Sequence, residues 1–184
     1  MLKKIILITA KAESGKDTVS DYLTQQLKNK GQKVAIMHFA QYIKQILIQH
    51  YEWDGITKDE YWRHKLQYLG TEKIRLQMNK PLFHVSRVCE DIEIIQDDFD
   101  YVLIPDCRFP NEAYHTMACF PKQGTVLRIE RPNFKNRLTE AQRNHISETS
   151  MDNFNYNNVL YNDGTLQDLH MKIDKYINDV LGIK

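Results

Sequence analysis

Apolar positions along this chain follow two different periods, and the switches between them outline the elements. "KKIILIT" (3–9) is a continuous β-branched run, the pattern of a strand buried on both faces. From Lys16 to Lys30 the period changes: Val19, Tyr22, Leu23 and Leu27 recur at helical spacing, and Gly31 ends the segment as a helix terminator does. "QKVAIMHFA" (32–40) predicts a second strand. Strand, helix and strand in this order imply a right-handed crossover within a parallel sheet.

From 41 to 99 the pattern predicts helix and no strand. Ile43, Ile46 and Leu47 mark one amphipathic helix, which "DGITK" (54–58) breaks. A second runs through "DEYWRHKLQYLGTEKIRLQM", interrupted or bent near Gly70. A third follows Pro81, with Leu82, Val85, Val88, Cys89, Ile92 and Ile95 as its apolar stripe. That much helix between two strands predicts an excursion that caps the sheet edge.

Three more strands follow: "DYVLIPD" (100–106), "GTVLRIE" (124–130) and "NVLYNDG" (158–164). A short helix from Pro110 to about Cys119 separates the first two, and the polar, basic segment 131–148 reads as a lid. Leu166, Leu169, Ile173, Ile177, Val180 and Leu181 predict a terminal amphipathic helix. Repeats, low-complexity tracts and linkers are lacking. The expectation is α/β: one domain over 1–184 with a five-stranded parallel sheet, a helical insertion at 41–99 and the lid at 131–148.

Composition narrows the partners. A length of 184 residues is enough to bury a core, and a net charge of +1 gives no global field for nucleic acid or a membrane surface. Any anion site must then be built locally. Cys89, Cys107 and Cys119 are odd in number and lack metal-ligand spacing, so they read as reduced thiols of a cytoplasmic protein. The apolar run Ile5 to Ile8 is too short for a signal peptide or a membrane span.

The chemistry begins at "AKAESGKDT" (10–18), between the first strand and the first helix. It follows the spacing of G-x-x-x-x-G-K-[ST], with Ala10 for the first glycine and Asp17 for the metal-binding hydroxyl. Such a loop aims backbone N–H groups of residues such as Ala12 and Ser14 at a phosphate, where the helix dipole also favours an anion. Gly15 lets the chain approach without a Cβ in the way, and Lys16 reaches the β- and γ-phosphates as a point charge. Asp17 can hold Mg²⁺ through its water shell, and Thr18 still offers a hydroxyl. The competing reading is a chance S-G-K before a helix; the strand–loop–helix context argues against it.

"PDCRFPNE" (105–112) lies at the carboxyl end of the third strand, where open α/β sheets bind ligands. Asp106 there can order metal-bound waters or hold substrate, and Arg108 can clamp a phosphate in two-pronged fashion. A turn former with a surface partner is the alternative. Arg63 and Arg75 stand at opposite ends of the bent helical segment, suited to an acceptor's phosphate or to a solvated helix face. Arg131, Lys135, Arg137 and Arg143 make 131–148 an arginine-bearing flap of the kind phosphoryl transfer uses, or a basic loop with no such role. His145 and Glu148 of "HISE" either contact substrate or fasten the flap; no G-x-S-x-G elbow supports a hydrolase. "NDGT" (162–165) can wrap a nucleoside or form a turn and helix cap.

Taken in order, "SGKDT", "LQYLGTEKIR", "DCRFPNE", "HISE" and "NDGTLQDL" resemble the phage-type deoxynucleoside monophosphate kinases, and distantly the animal phosphomevalonate kinases, over about residues 3–181. The resemblance implies a three-layer P-loop nucleoside monophosphate kinase-like fold and transfer of the γ-phosphoryl of ATP to a deoxynucleoside monophosphate, with Mg²⁺. It gives Lys16 the donor phosphates, Asp17 and Thr18 the metal and phosphate, and Arg75 and Arg108 the acceptor phosphate or transferring group. Arg131 and Arg137 would lie over the donor nucleotide, with Asn162 near its base. Two departures stand out: Ala10, and "NKPLFHV" (79–85), where Phe83 occupies the place of an expected tryptophan.

The resulting site has Lys16, Arg108, Arg131 and Arg137 in catalysis. Ala12, Ser14, Gly15, Lys16, Asp17, Thr18 and Asn162 hold ATP. Arg63, Arg75, Asp106, Arg108, His145 and Glu148 hold the acceptor, and Asp17 and Asp106 serve Mg²⁺ through water. Other outcomes are a P-loop kinase for another phosphorylated metabolite and an ATP-binding sensor without transfer. The accepted base, read by side chains around His38, Tyr42, Tyr61 and Phe83, stays open, as does oligomeric state, a homodimer included.

Overall fold

The computed structural model describes residues 1–57 and 59–183, so Lys58, the last residue of the "DGITK" breaker, and Lys184 fall outside it. Five parallel strands form one sheet in the order β2-β3-β1-β4-β5. They are β1 (Lys4–Ala10), β2 (Val34–Ile36), β3 (Tyr101–Ile104), β4 (Gly124–Glu130) and β5 (Asn158–Tyr161). β1 sits in the centre, with Ile5 opposite Val102 on one side and Gly124 on the other.

The central strands are apolar on both faces because helices cover both. Ile5 and Leu7 point into one core with Val85, Val88, Ile92 and Ala113. Ile6 and Ile8 point into the other, with Val19, Leu23, Leu27, Leu169 and Ile173. Helices α1 (Lys16–Asn29) and α8 (Leu166–Asp179) therefore form one outer layer, and α4 (Phe83–Ile95) and α5 (Pro110–Cys119) the other. The parallel sheet expected from the apolar pattern and the three layers implied by the resemblance are both present. Among the described residues no helix is long and apolar enough to cross a membrane.

Two strands are shorter than their apolar runs. β2 stops at Ile36, although Met37 still donates to Leu103 O, because the amides of Phe39 and Ala40 turn away to the Asp106 carboxylate. β5 stops at Tyr161, after which only the Asn162 amide reaches back, to Glu130 O.

The helical excursion holds α2 (Gln41–Tyr51), α3 (Glu60–Gln67) and a π-helix (Tyr68–Gln77) that continues α3. The bend expected near Gly70 is this change of helical pitch. π-Helical turns are uncommon and tend to occur at functional sites. Ile43, Leu47, Trp53 and Ile74 give the excursion a small core of its own. α4, which the sequence grouped with the excursion, packs instead into the main core through Val85, Val88, Cys89 and Ile92.

Candidate functional site

Phosphate-loop geometry follows from the backbone between β1 and α1. Ala10 is the last residue of β1, paired with Ile129, so its backbone is extended and needs no glycine. Gly15 sits at the head of α1 with φ 90°, a left-handed conformation that L side chains rarely adopt. A Cβ there would also stand 2.5 Å from Asn162 Nδ2. That amide donates to Ser14 O at 3.0 Å, so Asn162 braces the loop from the end of β5. Among the described residues no side-chain cap bonds the first turn of α1, whose amides stand at the positive end of the helix dipole. Lys16 Nζ pairs with Asp17 Oδ1, and the Asp17 side chain is 79% exposed.

At the end of β3, Asp106 accepts the Phe39 and Ala40 amides at 2.9 and 3.1 Å and so fixes the turn into α2. Both oxygens of a group expected to order metal waters thus have backbone partners. His38 Nδ1 lies 3.8 Å from the same carboxylate, but burial outweighs it and lowers the imidazole below its ordinary value. Arg108 pairs with Glu148 and donates to Ser147 O at 3.3 Å, tying the β3 loop to the end of the flap.

Arg75 is placed otherwise than a surface clamp. Its side chain is 7% exposed, pairs with Glu112, donates to Pro81 O at 2.7 Å and lies 4.1 Å from the Phe109 ring centre. Glu112 also accepts the Arg108 and Phe109 amides at 2.7 and 3.0 Å. Burial pushes the Glu112 carboxyl up to about 7, with Arg75 and the two amides pulling the other way. Glu112 was missed by sequence reasoning. The signal was there: an acid three residues into a helix that opens with proline reaches back to the preceding amide.

The flap closes on the phosphate loop. Arg137 donates from its backbone N and its Nε to the Glu13 carboxylate, both at 2.9 Å, and Arg131 Nη1 stands 3.4 Å from Glu13 O. The Arg137 amide is the main cause lowering the Glu13 carboxyl, with Arg63 of α3 near enough to add to it. Glu13 itself adopts φ 63°. Two short helices, α6 (Glu140–Asn144) and α7 (Ile146–Thr149), end the flap. His145 between them fastens it: Nε2 stands 3.0 Å from Glu72 of the π-helix, while Nδ1 takes the Ser147 amide at 3.2 Å. Glu148 Oε2 accepts the Ala12 amide at 3.0 Å. Lys11 reaches Glu148 O and Asp152.

These contacts border an open cleft of about 340 Å³ between the loop, the end of β4 and the flap. Lys11, Arg128, Arg131 and Arg143 bring positive charge to it, against Glu130 and Glu148. Lys11, Glu13 and Arg128 carry no motif signature, and only the register of β1 with β4 and the return of the flap bring them together. Lys16, Asp17, Arg108, Arg131, Arg137, Glu148 and Asn162 converge around the loop; Arg63 approaches from α3, and Arg75 stays beneath the surface.

A family model for deoxynucleotide monophosphate kinase matches residues 55–173 of the chain. No curated protein matches. Among solved structures, the APS kinase CysC of Mycobacterium tuberculosis in complex with AMPPNP and APS is similar at TM-score 0.56 and 12% identity, over 97% of this chain and 99% of that one. A gluconokinase from Sinorhizobium meliloti 1021 is similar at TM-score 0.53 and 6% identity, over 98% and 97%. At these identities the likeness is one of fold, that of the P-loop kinases.

Proposed function

The chain belongs to the deoxynucleotide monophosphate kinase family, and on that premise we propose that this phosphotransferase moves the γ-phosphoryl group of ATP to a deoxynucleoside monophosphate. One observation carries the donor half of this reading: a helix start behind a left-handed Gly15, beside Lys16, at the end of a loop whose Lys11, Ala12 and Ser14 line the cationic cleft. The family match begins at residue 55, so the loop supports the reading independently.

Lys16 exchanges Asp17 for the donor β- and γ-phosphates, and the amides from Ala12 to Thr18 line the phosphate path. Arg131 and Arg137 exchange Glu13 for the donor when it binds. Arg108, 38% exposed, turns from Glu148 to the transferring group. Because phosphoryl transfer spreads negative charge over the equatorial oxygens, aligned cations and amides supply most of the barrier reduction. Excluding water is the task of the flap, pinned through His145 to Glu72.

The acceptor enters between α3, the π-helix and the β3 loop, where Arg63 approaches and Asp106 fixes the floor. Arg75 serves it from below, through Glu112 and the Arg108 amide. Asn162 acts on the loop rather than by reading a base. Mg²⁺ fits the exposed Asp17 carboxylate, which suits an ion that keeps several waters; when bound it neutralises the charge of the β- and γ-phosphates. A cytoplasmic location belongs to the same reading.

The test is a coupled assay with ATP, Mg²⁺ and each deoxynucleoside monophosphate in turn. Acceptor-dependent ADP release is the expected result. Saturable ATP binding with no acceptor effect would make the chain a sensor, and release driven only by another phosphorylated metabolite would move it to a different acceptor class.

A further inference from the structure

Between α4 and α5, on the face of the sheet away from the phosphate loop's helix, a second cluster of reactive side chains assembles. His115 and Cys119 are four residues apart on α5, which puts them on one helical face. Cys89 of α4 comes to meet them, and one donor atom from each lies within 4.8 Å of the others. The cluster grades from buried Cys89 through half-buried His115 to exposed Cys119, so it opens to solvent at one end. The sequence reading found no ligand spacing among the cysteines because the third partner is a histidine and the second helix is distant in the chain.

Packing explains only part of this. Cys89 fills the apolar stripe of α4 as a small hydrophobe does. An exposed cysteine and a half-buried histidine beside it have no such reason. Both cysteines are free thiols.

We propose that Cys89, His115 and Cys119 form a site for a borderline-soft divalent cation of the zinc type, with a fourth position open to water. Two sulfurs and an imidazole suit such an ion and not Mg²⁺, whose ligands are oxygens. Donors around tetrahedral zinc lie about 3.5–4 Å apart, a rotamer-scale contraction from what the structure shows. Ser86 Oγ, 3.5 Å from His115 Nε2, supplies a polar neighbour that orients the ring. The ion ties α4, which carries the His84 contact to Gly70 O of the π-helix, to α5, which carries Glu112. It is a clip between the acceptor side and the β3 loop, remote from the transferring phosphoryl group.

The experiment uses the full chain, reduced, stripped with a chelator and titrated with Co²⁺. The expected result is a thiolate-to-cobalt charge-transfer band that saturates at a single equivalent and vanishes when Zn²⁺ is added. Cys119→Ser and His115→Ala, both at positions with an open side, should keep the chelated wild type's melting curve and lose the saturable band. A fully reduced wild-type chain without the band, or variants that retain it, overturns the site. Zn²⁺ should also raise the Tm of the wild type and leave that of Cys119→Ser unchanged; an equal rise in both overturns the clip.

Discussion

Two arginine–carboxylate pairs in this molecule are chemically alike and physically opposite. Arg75 and Glu112, joining the π-helix to α5, have side chains 7% and 3% exposed. Arg137 and Glu13, joining the flap to the phosphate loop, are 90% and 21% exposed. In the first, low dielectric and surrounding hydrogen bonds hold both partners in place, and losing either leaves a charge that water cannot reach. In the second, water competes for both ends, so the contact is weak and exchangeable. The core-facing contact rests on the dry pair, and the contact between the 131–148 segment and the phosphate loop rests on the wet one.

The largest effect should come from breaking the dry pair. Arg75→Met is expected to lower unfolding free energy by about 3–5 kcal/mol in mildly alkaline buffer, where Glu112 is ionised, as read by denaturant melts. Adding Glu112→Gln should recover much of it. If Arg75→Met instead melts like wild type and only raises KM for the acceptor, Arg75 is an acceptor ligand and the two pairs do not differ in kind.

Next is the floor that both regions serve. Lys16→Met should reduce kcat by about 10²–10³ with the melting curve unchanged; near-normal turnover in the folded variant would refute its role. A third, somewhat smaller effect tests the contact between α4 and the π-helix by pH. Burial, with Arg75 nearby, lowers His84 from 6.5 to about 4 in the folded chain. The unfolded chain therefore takes up the proton first, so this stability is full above 6.5 and is lost as pH falls toward 4. The loss is at most about 3 kcal/mol, and His84→Gln, which keeps a donor for Gly70 O, should flatten the Tm profile over that window.

The smallest effect belongs to the wet pair. Glu13 is lowered from 4.5 by the Arg137 amide, so its contact persists above that pH and is lost as pH falls through the lowered value. Glu13→Gln should leave Tm unchanged and speed proteolytic cleavage of the flap around Arg131 and Arg137. A Tm drop as large as that of Arg75→Met would erase the distinction between the two pairs.

What could be read from the chain alone was whatever periodicity and local chemistry encode. The runs at 3–9, 100–106 and 124–130 announced strands buried on both faces, and the S-G-K-D-T stretch announced an anion cradle, because both depend on neighbours in sequence. β2 and β5 came out shorter than their apolar runs because their ends are decided by partners elsewhere: Asp106 drawing away Phe39 and Ala40, and β4 running out beside Asn162. Arg75 and Arg108 look equivalent in a list of basic residues. Only folding buries one against Glu112 and leaves the other half-open beside Glu148, since desolvation is a property of the surroundings and not of the residue. The same holds for Cys89, His115 and Cys119, whose convergence depends on how α4 lies against α5, a packing choice that no local pattern writes down.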